Sequence, residues 1–310
     1  MDRRILVAGG SGFIGRIIVK ELIKKNYSLS VVTRNVNDTK GIFRNSVEVI
    51  DWNDRKQLVS AVEQSFSIIN LSGANVMGKR WNNAYKELIK SSRVDAARNM
   101  LECIDEAETR PESYISASAI GYYPRSEKEI FDESSEPGSS FLSGVTKAWE
   151  EEAKKAAGLG PREVRIRIGV VLDKSGGALK KMILPFRMFL GGPLGSGRQW
   201  FSWVHSADVV NLFIKAIEDN NIQGAINAVA PNPVTMNEFA RTLGKAMNRP
   251  SVFRVPAFVL KLVLGEASVE VLTGARIKPV RTVELGYKFK YEKLSDALND
   301  LLHGKGEGGS

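Results

Sequence analysis

Glycines at 10, 12 and 15 stand in a Gly-x-Gly-x-x-Gly spacing directly after the apolar run Ile5-Leu6-Val7-Ala8. The chemistry of such a spacing is phosphate binding. The first glycine allows a tight strand-to-helix turn, the second lets backbone N–H groups approach a pyrophosphate, and the third lets helix and strand pack closely. The phosphates then sit on the positive end of the following helix. Gly9, Gly10, Ser11, Gly12, Phe13, Ile14 and Gly15 are therefore the expected phosphate cradle. At the end of the next strand, where an Asp or Glu would bond the adenosine ribose 2′-hydroxyl, the chain carries Thr33-Arg34. A carboxylate there would repel a 2′-phosphate, whereas a guanidinium binds it through forked, charge-assisted hydrogen bonds of about 1.5–3 kcal/mol. NADP(H) is the expected dinucleotide. Asp51 is read as a partner of the adenine edge or, equally, as a turn residue.

These groups need a scaffold, and the hydrophobic spacing supplies one. Residues 13–25 place apolar side chains at 13, 14, 17, 18, 22 and 23 with Arg16, Lys20, Lys24 and Lys25 between them, a one-faced helix. Strands are expected at 29–33, 47–50, 66–71, 114–118, 164–172 and 225–230, and helices at 54–64, 81–107, 141–157, after Ser206 and at 235–247. Strands alternating with helices predict an α/β fold, a doubly wound parallel sheet with right-handed crossovers. Residues 176–197, rich in Gly and Pro, read as a loop over a pocket rather than a second phosphate site. Ser206 is the expected N-cap of its helix, with Asp208 in the first turn. Short elements follow from 250 to 302, and 303–310 reads as a flexible polar tail.

Composition narrows the classes. The 310 residues are 43% apolar and 25% charged, as in a globular protein that stays in solution, with a size that fits one large domain or two packed closely. The lone Cys103 excludes an intramolecular disulfide and any cysteine-based zinc cluster, and its neighbours Met100, Leu101 and Ile104 make it an inert core thiol. No stretch has the length and apolarity of a membrane span, and the first thirty residues read as strand and helix rather than a signal peptide. The cytoplasm is the expected location. The net charge of +9 is dispersed over solvated helix faces, able to attract an anionic cofactor or substrate, and no aromatic-basic motif supports nucleic-acid binding.

The start GGSGFIG, SASAIGYY at 116–123 and WVHSAD at 203–208 resemble the extended short-chain dehydrogenase/reductases, the nucleotide-sugar epimerase and dehydratase group. More closely, NLSG at 70–73, RWN at 80–82, SSR at 91–93, FLSGVTKAWE at 141–150, PFRMFLGGPLGSGRQWFSWVH at 185–205, NAVAPNPVT at 227–235 and the RP ending at 250 resemble an atypical branch, epimerase-family proteins of undetermined substrate. The resemblance implies a Rossmann-like core with a smaller C-terminal α+β substrate domain. The boundaries expected are 1–171 plus 207–231 for dinucleotide binding and 172–206 plus 232–302 for substrate. It also implies Leu71 and Ser72 on the adenine side, Gly73 as a further cofactor-binding residue, Arg93 approaching the cofactor from the long helix, and Val171 near the nicotinamide.

That wider family works with a Tyr-x-x-x-Lys pair, in which the ammonium lowers the phenol's pKa so that it exchanges a proton with substrate. Here the pair is missing. In the register of Trp149-Glu150 its positions hold Leu142 and Thr146, a shift of one gives Ser143 and Lys147, and Arg93 stands for the usual asparagine of the long helix. The remaining catalytic candidates are Ser118 at the end of the fifth strand, as a hydrogen-bond partner of a substrate oxygen, and Tyr122 or Tyr123 as an acid tuned by Lys147 or Arg93. His205, one of two histidines, reads as a structural tether to the helix at Asp208, and no metal site is expected. Two functions remain open: an NADP(H)-dependent oxidoreductase or epimerase-like enzyme on a small polar, possibly nucleotide-sugar-like molecule, or a non-catalytic NADP(H)-binding sensor or interaction protein.

Overall fold

A computed structural model describes residues 3–304. Ile5, Leu6, Val7 and Ala8 are fully buried in strand β1 (Arg4–Ala8), the centre of the sheet, because apolar cover lies on both its faces. Ile5 and Val7 pack toward one hydrophobic cluster, Leu6 and Ala8 toward another. The remaining sheet strands are β2 (Ser28–Thr33), β3 (Glu48–Asp51), β4 (Ser67–Asn70), β5 (Ser113–Ala119), β6 (Arg162–Ile168) and β7 (Gly224–Ala228). All seven are parallel, in the order β3-β2-β1-β4-β5-β6-β7. The strand order reverses between β1 and β4, which opens a crevice at their carboxyl ends.

Helices α1 (Phe13–Lys24), α2 (Val36–Phe43), α3 (Arg55–Glu63), α4 (Asn83–Glu106), α5 (Phe141–Lys154), α6 (Gly177–Arg187), α7 (Ser206–Glu218) and α8 (Met236–Met247) supply the cover. Ile18, Val19 and Leu22 of α1 share a core with Leu212 and Phe213 of α7, while Leu58 of α3 and Met100 and Ile104 of α4 fill the opposite face. Cys103 is fully buried there, and desolvation lifts its thiol to about 11. Iodoacetamide at pH 8 is expected to leave Cys103 unmodified in the native protein and to alkylate it fully in guanidinium chloride, as read by intact mass. Native modification at a comparable rate would contradict this packing.

Several expectations need correction. The run 164–172 is not one strand: β6 ends at Ile168, and Val170–Leu172 pairs instead with Trp203–His205. The break is Gly169, whose N–H donates to the Ala228 carbonyl at 3.0 Å and where a Cβ would lie 2.7 Å from the Ser202 carbonyl oxygen. The segment 176–197 is not all loop, because Leu179, Ile183 and Phe186 share one buried face of α6 and override its glycine and proline content. Ser206 is not an N-cap. His205 holds that place, its Nδ1 accepting from the Ala207 N–H at 3.0 Å, while Ser206 donates to Asp173 at 2.6 Å.

Asp208 is not reached by His205 through a hydrogen bond. It accepts from the Tyr287 hydroxyl at 2.9 Å and from the N–H groups of Lys290 and Tyr291 at 2.7 and 3.1 Å. His205 stacks on Tyr291 with ring centres 4.0 Å apart, and burial lowers its pKa. Behind the sheet's carboxyl edge, α8 and the C-terminal helix Leu294–His303 enclose a further core around Phe201, Trp203 and Phe239. The end of that helix includes His303, so the expected tail begins later, and its residues 305–310 lie outside the described residues. Thr235 caps α8 in a reciprocal box with Glu238. Thr235→Ala is expected to cost about 1 kcal/mol in urea unfolding, and no measurable loss would remove the box from the stability of this layer.

Candidate functional site

The β1–α1 turn is built for an anion. Gly9 has φ 77° and accepts at its carbonyl from the Gly12 N–H at 3.0 Å. A Cβ on Gly15 would lie 2.3 Å from the Gly9 oxygen and 2.7 Å from the Gly10 Cα, so helix and turn touch backbone to backbone. Side chains of Asn35, Asp54, Asn82, Ser140 and Thr235 cap α2, α3, α4, α5 and α8. Helix α1 has Gly12 as its N-cap, with no side-chain cap and no acid in its first turn, which leaves its first amides for a ligand.

This turn floors a cleft of about 640 Å³. Gly9, Ser11 and Gly12 form one wall, Thr33, Arg34 and Asn35 the next, Leu71, Ser72 and Gly73 the third, and α4 closes it with Ser91, Ser92, Asp95, Ala96 and Asn99. Gly10 and Gly15 are buried behind the turn, while Phe13 and Ile14 are half-buried against the core, the Phe13 ring on Gly176 and Gly177. Arg34 is exposed on the cleft wall, and the Thr33 hydroxyl is held by Asn35 N–H and the Thr39 hydroxyl. Trp52 also lines the cleft, a residue the sequence reading missed; its only signal was an aromatic one position past β3. Asp51 takes the turn role, accepting from the Asn53 N–H at 2.9 Å. The dimensions, the uncapped helix and the guanidinium fit a dinucleotide's adenosine-diphosphate half.

Arg93 reaches the third wall, its guanidinium packed under Gly73, donating to the carbonyls of Ile89 and Ala74 at 2.8 and 3.0 Å and resting over Trp149. Desolvation lowers its pKa to about 10, so it stays charged at neutral pH. Val171 is buried on the short Val170–Leu172 strand and does not line the cleft.

The catalytic candidates are not assembled as expected. Ser118 is buried and donates to Glu150 at 2.6 Å, so its proton is committed inside the protein. Lys147 is exposed on α5 and forms no pair with either tyrosine. Tyr122 lies beneath the guanidinium of Arg167, 3.5 Å from the ring centre, and Tyr123 donates to Asn227 at 2.7 Å and accepts from Arg167 at 3.0 Å. Burial raises the Tyr123 pKa despite that cation, so neither Lys147 nor Arg93 tunes it. Leu142 and Thr146 abut Gly121, where the Tyr-Lys pair would stand, and carry no ionisable group.

Glu150 is the hub that sequence reading missed. It accepts from Arg167 Nε and Nη2 at 2.8 and 2.9 Å and from Arg165 Nη1 at 3.1 Å. Burial alone would raise its pKa, but the bonds and charges of Arg167, Ser118 and Arg165 outweigh it and the carboxyl titrates below its ordinary value. Beside this cluster, toward the C-terminal layer, lies a second cavity of about 300 Å³.

A profile described as the NAD dependent epimerase/dehydratase family matches residues 5–155, and one described as Domain of unknown function (DUF1731) matches 255–301. The Epimerase family protein SDR39U1 homolog, chloroplastic, of Arabidopsis thaliana is 42% identical over 304 residues, 96% of this chain and 86% of the relative. The chain belongs to the epimerase family. Within the epimerase family, the mouse (Mus musculus) Epimerase family protein SDR39U1 is 35% identical, covering 96% of this chain and 99% of its own. The crystal structure of human epimerase family protein SDR39U1 (isoform 2) with NADPH superimposes with a TM-score of 0.87 at 32% identity, over 96% of this chain and 98% of that one. UDP-glucose 4-epimerase from Thermotoga maritima, solved with UDP-glucose, has a TM-score of 0.78 at 19% identity over 97% and 98% of the chains and shows the same Rossmann-like fold. Among the described residues no helix is long and apolar enough to cross a membrane.

Proposed function

We propose that this epimerase-family chain binds NADP(H) in the 640 Å³ cleft and acts as an oxidoreductase or epimerase-like enzyme on a small molecule held in the second cavity. The observation that carries the reading is Arg34 at the carboxyl end of β2, where a carboxylate would select NAD, on a cleft floored by the uncapped start of α1. The human relative crystallised with NADPH supports it. When bound, the dinucleotide supplies or accepts a hydride. Gly9 to Gly15 would hold its diphosphate, Arg34 its 2′-phosphate, and Leu71 to Gly73 with Trp52 its adenosine, while Arg93 braces the Gly73 wall. Residues 1–171 plus 207–231 serve as the dinucleotide part and 172–206 plus 232–302 as the substrate part. The single buried cysteine supports a reducing compartment such as the cytoplasm.

The second reading, a non-catalytic NADP(H) sensor, is favoured by two observations: Ser118 donates to Glu150, and Lys147 faces solvent. Turnover separates the two. Loss of NADPH absorbance with any carbonyl substrate supports the enzyme; tight NADPH binding with no turnover across carbonyl and nucleotide-sugar panels supports the sensor.

A further inference from the structure

The second cavity has two properties that bear on what it holds. Its walls include Ile120, Val170, Met182, Phe201, Met236 and Ile277, all apolar. Its uncharged polar groups are committed elsewhere: Ser202 donates to the Ala275 carbonyl and accepts from the Ile277 N–H, and the Gln199 amide donates to the carbonyls of Leu194 and Val271. The charged side chains lining it, among the described residues, are Arg125 and Glu270, which are paired with each other. Arg276 lies outside the lining, its guanidinium packed on the ring of Trp200. The start of α6 is covered by the ring of Phe13, against which Gly176 and Gly177 pack.

Size and charge then select a substrate class. A nucleoside diphosphate sugar is bulkier than the adenosine-diphosphate half of a dinucleotide, whose cleft here measures about 640 Å³, and this cavity is about 300 Å³. A diphosphate also needs cations or free amides, and the one guanidinium is already matched by a carboxylate. We infer that the cavity takes a compact, uncharged, largely apolar molecule whose single oxygen function meets Arg125 and Glu270, and that it excludes nucleoside diphosphate sugars. The pair suits both members of a carbonyl–alcohol couple. A ketone oxygen accepts from the guanidinium, and the corresponding alcohol can in addition donate to the carboxylate. The assignment of this molecule as substrate rests on NADP(H) occupying the neighbouring cleft.

The test is calorimetric titration of the full chain, with and without saturating NADPH, using cyclohexanone, acetophenone and 1-tetralone as one arm and UDP-glucose as the other. At least one ketone is expected to bind, Arg125→Leu to weaken it tenfold or more, and Ala178→Trp, which fills the cavity from α6, to abolish it. UDP-glucose is expected to give no heat that Ala178→Trp removes. Arg125 is 30% exposed, so its variant remains informative if Ala178→Trp does not fold. Failure of all three ketones to bind, ketone binding indifferent to Arg125→Leu, or UDP-glucose binding lost in Ala178→Trp each overturns the inference. Protein that binds a ketone but no NADPH overturns the cofactor reading alone, and protein that binds NADPH but no ketone overturns the cavity assignment alone.

Discussion

Arg34→Ala is expected to weaken NADPH binding about tenfold to a hundredfold while changing NADH binding less than about twofold, read by fluorescence titration. The magnitude follows from losing charge-assisted hydrogen bonds to the 2′-phosphate, about 1.5–3 kcal/mol, at 1.4 kcal/mol per decade. The asymmetry follows because NADH lacks that phosphate. Arg34 is exposed, and the neighbouring Asn35 still caps α2, so the substitution should leave the fold intact. Equal losses for both nucleotides would show that the guanidinium does not read the 2′-phosphate and would remove the main argument for NADP(H).

Glu150→Ala, on α5 where it packs against the sheet, should be strongly destabilising. The side chains of Glu150 and Arg167 are 2% and 4% exposed, and removing the carboxylate leaves the buried Arg167 guanidinium without its counter-ion, bonded to the Tyr123 hydroxyl, and the Ser118 hydroxyl without its acceptor, while Arg165 keeps Glu163 at 2.6 Å. Breaking a buried pair in this way costs about 3–5 kcal/mol, to be measured by urea unfolding. Glu151→Ala, one residue on and exposed, should cost within about 0.5 kcal/mol. The pH dependence has a definite sign. Because the folded pKa of Glu150 lies below its ordinary 4.5, its contribution is complete above that value and is lost as pH falls through the folded one. Glu150→Gln should therefore flatten the stability profile below about pH 4.5. A profile parallel to the parent's, or a loss no larger than that of Glu151→Ala, would show that the cluster is not a stability hub.

The cofactor half of the site was legible because its signals are local. Glycine spacing, the apolar run before it and the one-sided helix after it all lie within residues 5–25, and Arg34 follows from the same count of strands. The buried cluster around Glu150 was not, because its partners meet only through the sheet. Ser118 stands opposite Arg167 in the β5–β6 register, and Glu150 arrives from a helix 32 residues downstream of Ser118. In sequence, 141–157 reads as a helix and 164–172 as a strand, and neither pattern shows that Glu150 and Arg167 are buried and paired. The loop reading of 176–197 erred for a related reason: composition suggested a turn, while a three-residue apolar stripe at 179, 183 and 186 decided the helix.

The strand break at Gly169 has a consequence for how the two cavities stay aligned. One residue passes the chain from the central sheet to the short strand whose first residue, Val170, borders the smaller cavity, with no linker between. The clearance there is 2.7 Å to one carbonyl and 2.8 Å to Val229, less than any side chain needs. That peptide in effect sets the gauge between the central sheet and the short strand, and its tolerance is a single hydrogen atom: a methyl group in its place would shift one against the other.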